Sequence, residues 1–218
     1  TSKVGMLFHM ACLLNVDYKR TLNLFLAITQ DGNPNYFKLP VHDANPLLYF
    51  IGKDFQQLIP YFRMAMKSDM GNDITADWLF RAWLSGNNEA KDMLFDLADS
   101  SKDARIKSID FIGRHFESKF AESMREVLLR YLSFEEKDLG KEYDNVFRHL
   151  ADWESFFNIH NFLDKFIKSQ ICTFCSHEIY TYLKYLAVRD PNYCLEFLEK
   201  LYTKKSHKHT EKPEEYSF

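Results

Sequence analysis

The chain has 218 residues, 46% of them apolar, and 28 basic against 31 acidic residues give a net charge of −3. That balance excludes the strong basic excess by which an electrostatic nucleic-acid binder is recognised. Only seven Gly and six Pro occur, and no run of alternating Val, Ile and Thr argues for a sheet.

Residues 4–16 are nearly uncharged, with Val4, Met6, Leu7, Phe8, Met10, Leu13 and Leu14 among them, and 18–29 form a second apolar stretch. The first stretch is shorter than the roughly 20 apolar residues that span a bilayer, and it lacks the basic start and small-residue cleavage pattern of a secretion signal. A buried helix pair is expected. The chain begins at Thr1 and its first helix comes almost at once, so a segment of a longer polypeptide is expected.

Residues 30–43 form the longest loop, broken by Gly32, Pro34 and Pro40. Asp31, Asn33 and Asn35 have the spacing of early calcium-loop ligands, but Tyr36 replaces the turn glycine and His42 the closing Glu. Tyr36 and Phe37 are candidate interaction anchors on this loop, because rings bury much area at low entropy cost. Asn45-Pro46 starts a helix near 47–51, and Asp54 caps another running to about Lys67. Residues 67–73 read as the seam between an irregular helical part, 1–70, and a more regular region beyond it.

In that second region the chain echoes itself. Arg81, Arg114, Arg148 and Lys184 are spaced at intervals of 33, 34 and 36 residues, and Leu94, Leu128, Leu163 and Leu198 at 34, 35 and 35. The offset between the two series stays at 13 to 15. Around the first series, positions −5, −2 and +2 are apolar in each copy (Ala76, Leu79 and Trp83 in the first), which is one stripe of a helix. Asp77, Asp110 and Asp144 stand four residues before the three Arg, in the favourable i,i+4 orientation, and a solvated ladder of ion pairs is expected. Around each Leu, apolar residues at −1, +3 and +4 mark a second helix. Ser85-Gly86-Asn87 and Asp190-Pro191 supply the turns in the first and last copies. Residues 71–203 are therefore expected to form four helical hairpins of about 34 residues, with all four Leu buried. Residues 204–218, basic then acidic, are expected to be a mobile polar tail.

Cys12, Cys172, Cys175 and Cys194 make no disulfide framework, and reduced thiols in a cytoplasmic setting are expected. Cys172, Cys175 and His177 form a Cys-x2-Cys-x-His that lacks a second closely spaced pair, so a metal-free turn is expected and no cofactor is assigned. His177-Glu178 opens like a zinc-protease helix, but Thr181 stands where the second His is needed. No GxGxxG, GxxxxGK[ST] or GxSxG occurs. His115 and His149, each directly after a repeated Arg, are expected to be structural.

Paired helices at this period resemble HEAT-like α-solenoid repeats over residues 73–203, a resemblance of architecture only, with a unit shorter than the ~40–47 residues of that family. It implies an all-α, right-handed solenoid of about 10–12 helices, a scaffold or recognition surface, and frequently one module of a larger multidomain protein. A non-catalytic protein-interaction module is expected first, with another protein or another domain of the same polypeptide as partner, and Trp153 joins Tyr36 and Phe37 as a candidate anchor. One alternative is a DNA glycosylase of the HEAT-like kind, for which Trp78, Trp83, Trp153 and Asp77 are offered and against which the charge balance argues. Another is an intramolecular regulatory arm of a large bacterial NTPase. Neither nucleic acid nor membrane is an expected partner.

Overall fold

The structure, a computed structural model, describes residues 6–7, 10–38, 45–68, 71–115, 118–134, 143–144, 146–148, 150, 159–169 and 177–208. Among the described residues it is all-α, with no strand. The chain divides into two compact units, Thr1–Phe111 and Ile112–Phe218.

In the first unit a 3-10 turn, Met10–Leu13, leads into helix α1, Tyr18–Thr29. Asp17 caps α1 by accepting from the Arg20 amide at 2.9 Å, and Leu22, Phe25 and Thr29 carry its inward stripe. The loop after α1 is tied down from several sides. Asp31 accepts from the Asn33 amide and Asn33 from the Asn35 amide, so the residues spaced like calcium ligands are spent on local turns. The buried Tyr61 hydroxyl donates to the Tyr36 carbonyl at 3.1 Å, and the Phe37 ring meets Tyr61 edge-on at 5.4 Å.

Helices α2 (Leu47–Phe50) and α3 (Phe55–Met66) come next. Asp54 does not cap α3 with its side chain; its carboxylate accepts from the Tyr18 hydroxyl at 2.6 Å and from the Gln57 side chain at 3.0 Å, which draws α1 and α3 together. Residues 67–73 lie inside this unit, and α3 packs against α4 (Asn72–Leu84) beyond them. Gly71, just before α4, permits a close approach of the loop at Phe37. Its φ is +82°, and a Cβ there would sit 2.8 Å from the Phe37 carbonyl oxygen.

Helices α4 and α5 (Asn88–Ser100) form the first expected hairpin. Gly86 turns it at φ +100°. The Asn87 side chain donates to Ala82 O within the hairpin and to Ile51 O behind it. Helix α6 (Lys102–Arg114) comes after it, with Ser101 accepting from the Ala104 amide. Arg105, buried in α6, donates to the Ala98 carbonyl and so satisfies the end of α5.

The second unit contains α7 (Ala121–Tyr131), helical residues at 143–144, 146–148 and 150, α8 (Ile159–Lys168), α9 (His177–Arg189) and α10 (Pro191–Lys208). Rings fill its centre. Phe147 lies 4.9 Å from Phe166, 5.9 Å from Phe162 and 6.1 Å from Tyr182, and the Tyr143 hydroxyl donates to Leu128 O at 2.7 Å. Helix α10 runs five residues into the segment expected as a tail; residues 209–218 lie outside the described part.

The eight members of the two series all stand on helices, alternating as the spacing requires. Every described residue at −5, −2 and +2 of the first series is buried, from Ala76, Leu79 and Trp83 to Ile179, Tyr182 and Leu186. The second series holds for Leu94, Leu128 and Leu163, each 0% exposed, and breaks at Leu198, which is 37% exposed. In α10 Cys194 and Phe197 are buried as their counterparts Ala90, Met93, Met124, Val127 and Phe162 are, so the helix keeps its inward face and Leu198 lies on the side left uncovered.

Candidate interaction surface

The last hairpin is built by ordinary helix-terminus chemistry. The Asp190 carboxylate accepts from the Tyr193 amide at 3.1 Å, Pro191 occupies the first helical position, and the Asp190 amide donates to Leu186 O at 2.7 Å. The buried Cys194 thiol donates to Leu183 O on α9 at 3.5 Å. Burial, and then Asp190, push that thiol above its ordinary pKa.

On its next side α10 docks on α8. The Tyr193 ring stacks on His160 with centroids 3.9 Å apart, and its hydroxyl donates to the His160 carbonyl at 3.0 Å. His160 lies 3.5 Å from Asp190, and Lys200 reaches Asp164 at 3.0 Å. Burial and the Asp164 carboxylate hold the Tyr193 hydroxyl neutral well beyond the usual range. A single aromatic, a histidine and a Lys–Asp pair two turns on thus align the two helices.

The third side of α10 is largely open to solvent. Leu195, Leu198 and Tyr202 are 61%, 37% and 76% exposed, and their i, i+3, i+7 spacing lines them up as one stripe. The exposed Glu199 stands beside them, and Val188 at the end of α9 is also open to solvent. Single exposed apolar residues are ordinary, whereas Leu195, Leu198 and Tyr202 are aligned on one face.

The loop anchors are corrected. Tyr36 is 0% and Phe37 3% exposed: the Phe37 ring packs on Tyr61 of α3, and the Tyr36 carbonyl accepts from the Tyr61 hydroxyl. Trp153, Cys172 and Cys175 lie outside the described residues. His177 is exposed at the first position of α9, and among the described residues no three His, Cys, Asp or Glu are grouped to hold a metal. Trp78 and Trp83, offered for a glycosylase, are buried. Asp77 is held by Arg81 at 2.7 Å and by Lys107 at 3.8 Å.

Those contacts also revise the ladder of ion pairs. Asp77–Arg81 forms as the spacing requires, but it is half-shielded, with the guanidinium 4.9 Å above the Phe111 ring. Arg148 reaches Glu178 on α9 at 3.3 Å. The Glu178 carboxyl is held below its usual range by its own backbone amide first and Arg148 second.

The α10 stripe was missed although the sequence carried its signal. Three positions before each repeated Leu stand Lys91, Arg125, His160 and then Leu195, so only the last copy is apolar there. Among the described residues no helix is long and apolar enough to cross a membrane. The chain matches no family model, no curated protein and no solved structure.

Proposed function

We propose that this chain is a non-catalytic protein-interaction module, a HEAT-like stack of helical hairpins that works in the cytoplasm as a scaffold for another protein or another domain. The observation that carries the reading is the exposed Leu195–Leu198–Tyr202 stripe. Such rows of apolar residues at i, i+3 and i+7 are how one helix receives another. The absence of an intact catalytic motif from the sequence accords with it, as does the structural use of Asp77, Trp78 and Trp83.

The test is quantitative capture from the source cell, comparing wild type with a Leu195→Asp, Tyr202→Asp variant whose circular dichroism is unchanged. Recovery of a stoichiometric partner by wild type, lost in the variant, supports the reading. Base excision or strand cleavage of DNA by the purified chain overturns it.

A further inference from the structure

We infer that the outer face of α10 docks an amphipathic helix of another polypeptide, in the way that α8 docks α10 within the fold. The inference rests on the interaction reading above and names the chemistry of the partner.

The interval from Leu163 to Leu198 maps α8 onto α10, so His160, Leu163, Asp164 and Ile167 correspond to Leu195, Leu198, Glu199 and Tyr202. On α8 this set is in use. His160 carries the stacked Tyr193, Asp164 takes Lys200, and Leu163 and Ile167 are buried at 0% and 4% exposure. The corresponding pairs Leu94/Ala98 and Leu128/Leu132 are buried as well. On α10 alone are the counterparts open, at 37% for Leu198 and 76% for Tyr202.

The differences between α8 and α10 define the guest. His160 becomes Leu195, so the platform under an incoming ring is an apolar side chain in place of an imidazole. Asp164 becomes Glu199, so the acidic position is kept, with a longer reach. The fitting guest is a helix with an aromatic residue over Leu195 and a Lys or Arg seven positions later facing Glu199, the spacing of Tyr193 and Lys200. Apolar residues between them would cover Leu198 and Tyr202. A basic residue on the guest is also favoured by simple charge, since Glu196 and Glu199 are both exposed on this part of α10.

The probe is a fluorescent synthetic peptide of residues 189–206 carrying Leu195→Gln and Tyr202→Gln, which keeps the docking side of α10 and removes the receiving side. Titrated with the whole chain, it should bind saturably. Leu195→Asp in the chain should abolish binding. Glu199→Lys should weaken it by about five-fold, the order of one exposed ion pair. A peptide with Lys200→Glu should then recover affinity for the Glu199→Lys chain, which no general loss of folding would produce. The inference is overturned by absence of saturable binding to a chain with native circular dichroism, or by equal binding to wild type and both variants. It is also overturned if sedimentation shows the chain pairing with a second copy through Leu195, since the face is then already filled. If the peptide fails but the source cell yields a partner that Leu195→Asp, Tyr202→Asp releases, the helix inference falls and the interaction reading stands. Failure of both experiments removes both.

Discussion

Leu163 and Leu198 are equivalent in sequence and unequal in the structure, so truncating each to Ala measures how far this side of α10 is covered. Leu163 is 0% exposed. Its truncation removes three buried carbons at about 0.8 kcal/mol each, and the void left between close-packed rings raises the loss to about 4 kcal/mol. Leu198 is 37% exposed, so it forfeits less than two thirds of the transfer energy and opens no closed cavity, a loss of about 1–1.5 kcal/mol. Urea unfolding followed by far-ultraviolet circular dichroism should separate the two variants by about 2.5 kcal/mol at unchanged slope. Equal losses would show Leu198 to be covered as its three counterparts are, and would refute the open stripe.

Gly71→Ala should destabilise by about 1–2 kcal/mol for the left-handed backbone alone. The contact with the Phe37 carbonyl adds to this, whereas Gly86→Ala, with no atom within 4 Å, should show only the backbone loss; equal unfolding midpoints would contradict the close approach. Burial raises the pKa of Tyr61 and Tyr143 above the ordinary 10.0. The folded state therefore keeps protons that the unfolded chain gives up: their contribution to stability is whole below pH 10.0 and falls as the pH rises further. Tyrosinate absorbance for these two rings should appear only with unfolding, and Tyr61→Phe with Tyr143→Phe should flatten the alkaline loss. Cys12 is exposed and Cys194 buried, so iodoacetamide should label Cys12 rapidly and Cys194 only when the chain unfolds, as mass spectrometry of the digested peptides would show.

Much of the fold was legible because helical burial has a period. The two linked series placed every repeated position on a helix, and the stripes at −5, −2 and +2 proved inward-facing because residues three, four and seven apart share a face. Asp190-Pro191 and Ser85-Gly86-Asn87 were readable because caps and tight turns use few residue types. The features that escaped depend on partners distant in sequence. Nothing near Asp54 announces that Tyr18 takes its carboxylate, and nothing near Arg105 announces that it closes the end of α5. Tyr36 and Phe37 resembled surface anchors because a loop rich in Gly, Pro and Asn looks solvated; Tyr61 and Gly71, a long way along the chain, bring the loop down onto the helices. The open stripe was written in Leu195, but its meaning required knowing which side of α10 was already taken.

Site-specific photo-cross-linking in the source cell tests the central claim most directly. A benzoyl-phenylalanine placed at Leu195 or at Tyr202 should give one discrete adduct with a second protein, with no adduct from the same group at Asp92, an exposed position on α5. A chain that folds normally and gives no adduct from either α10 position, or the same adducts from Asp92, would contradict the account.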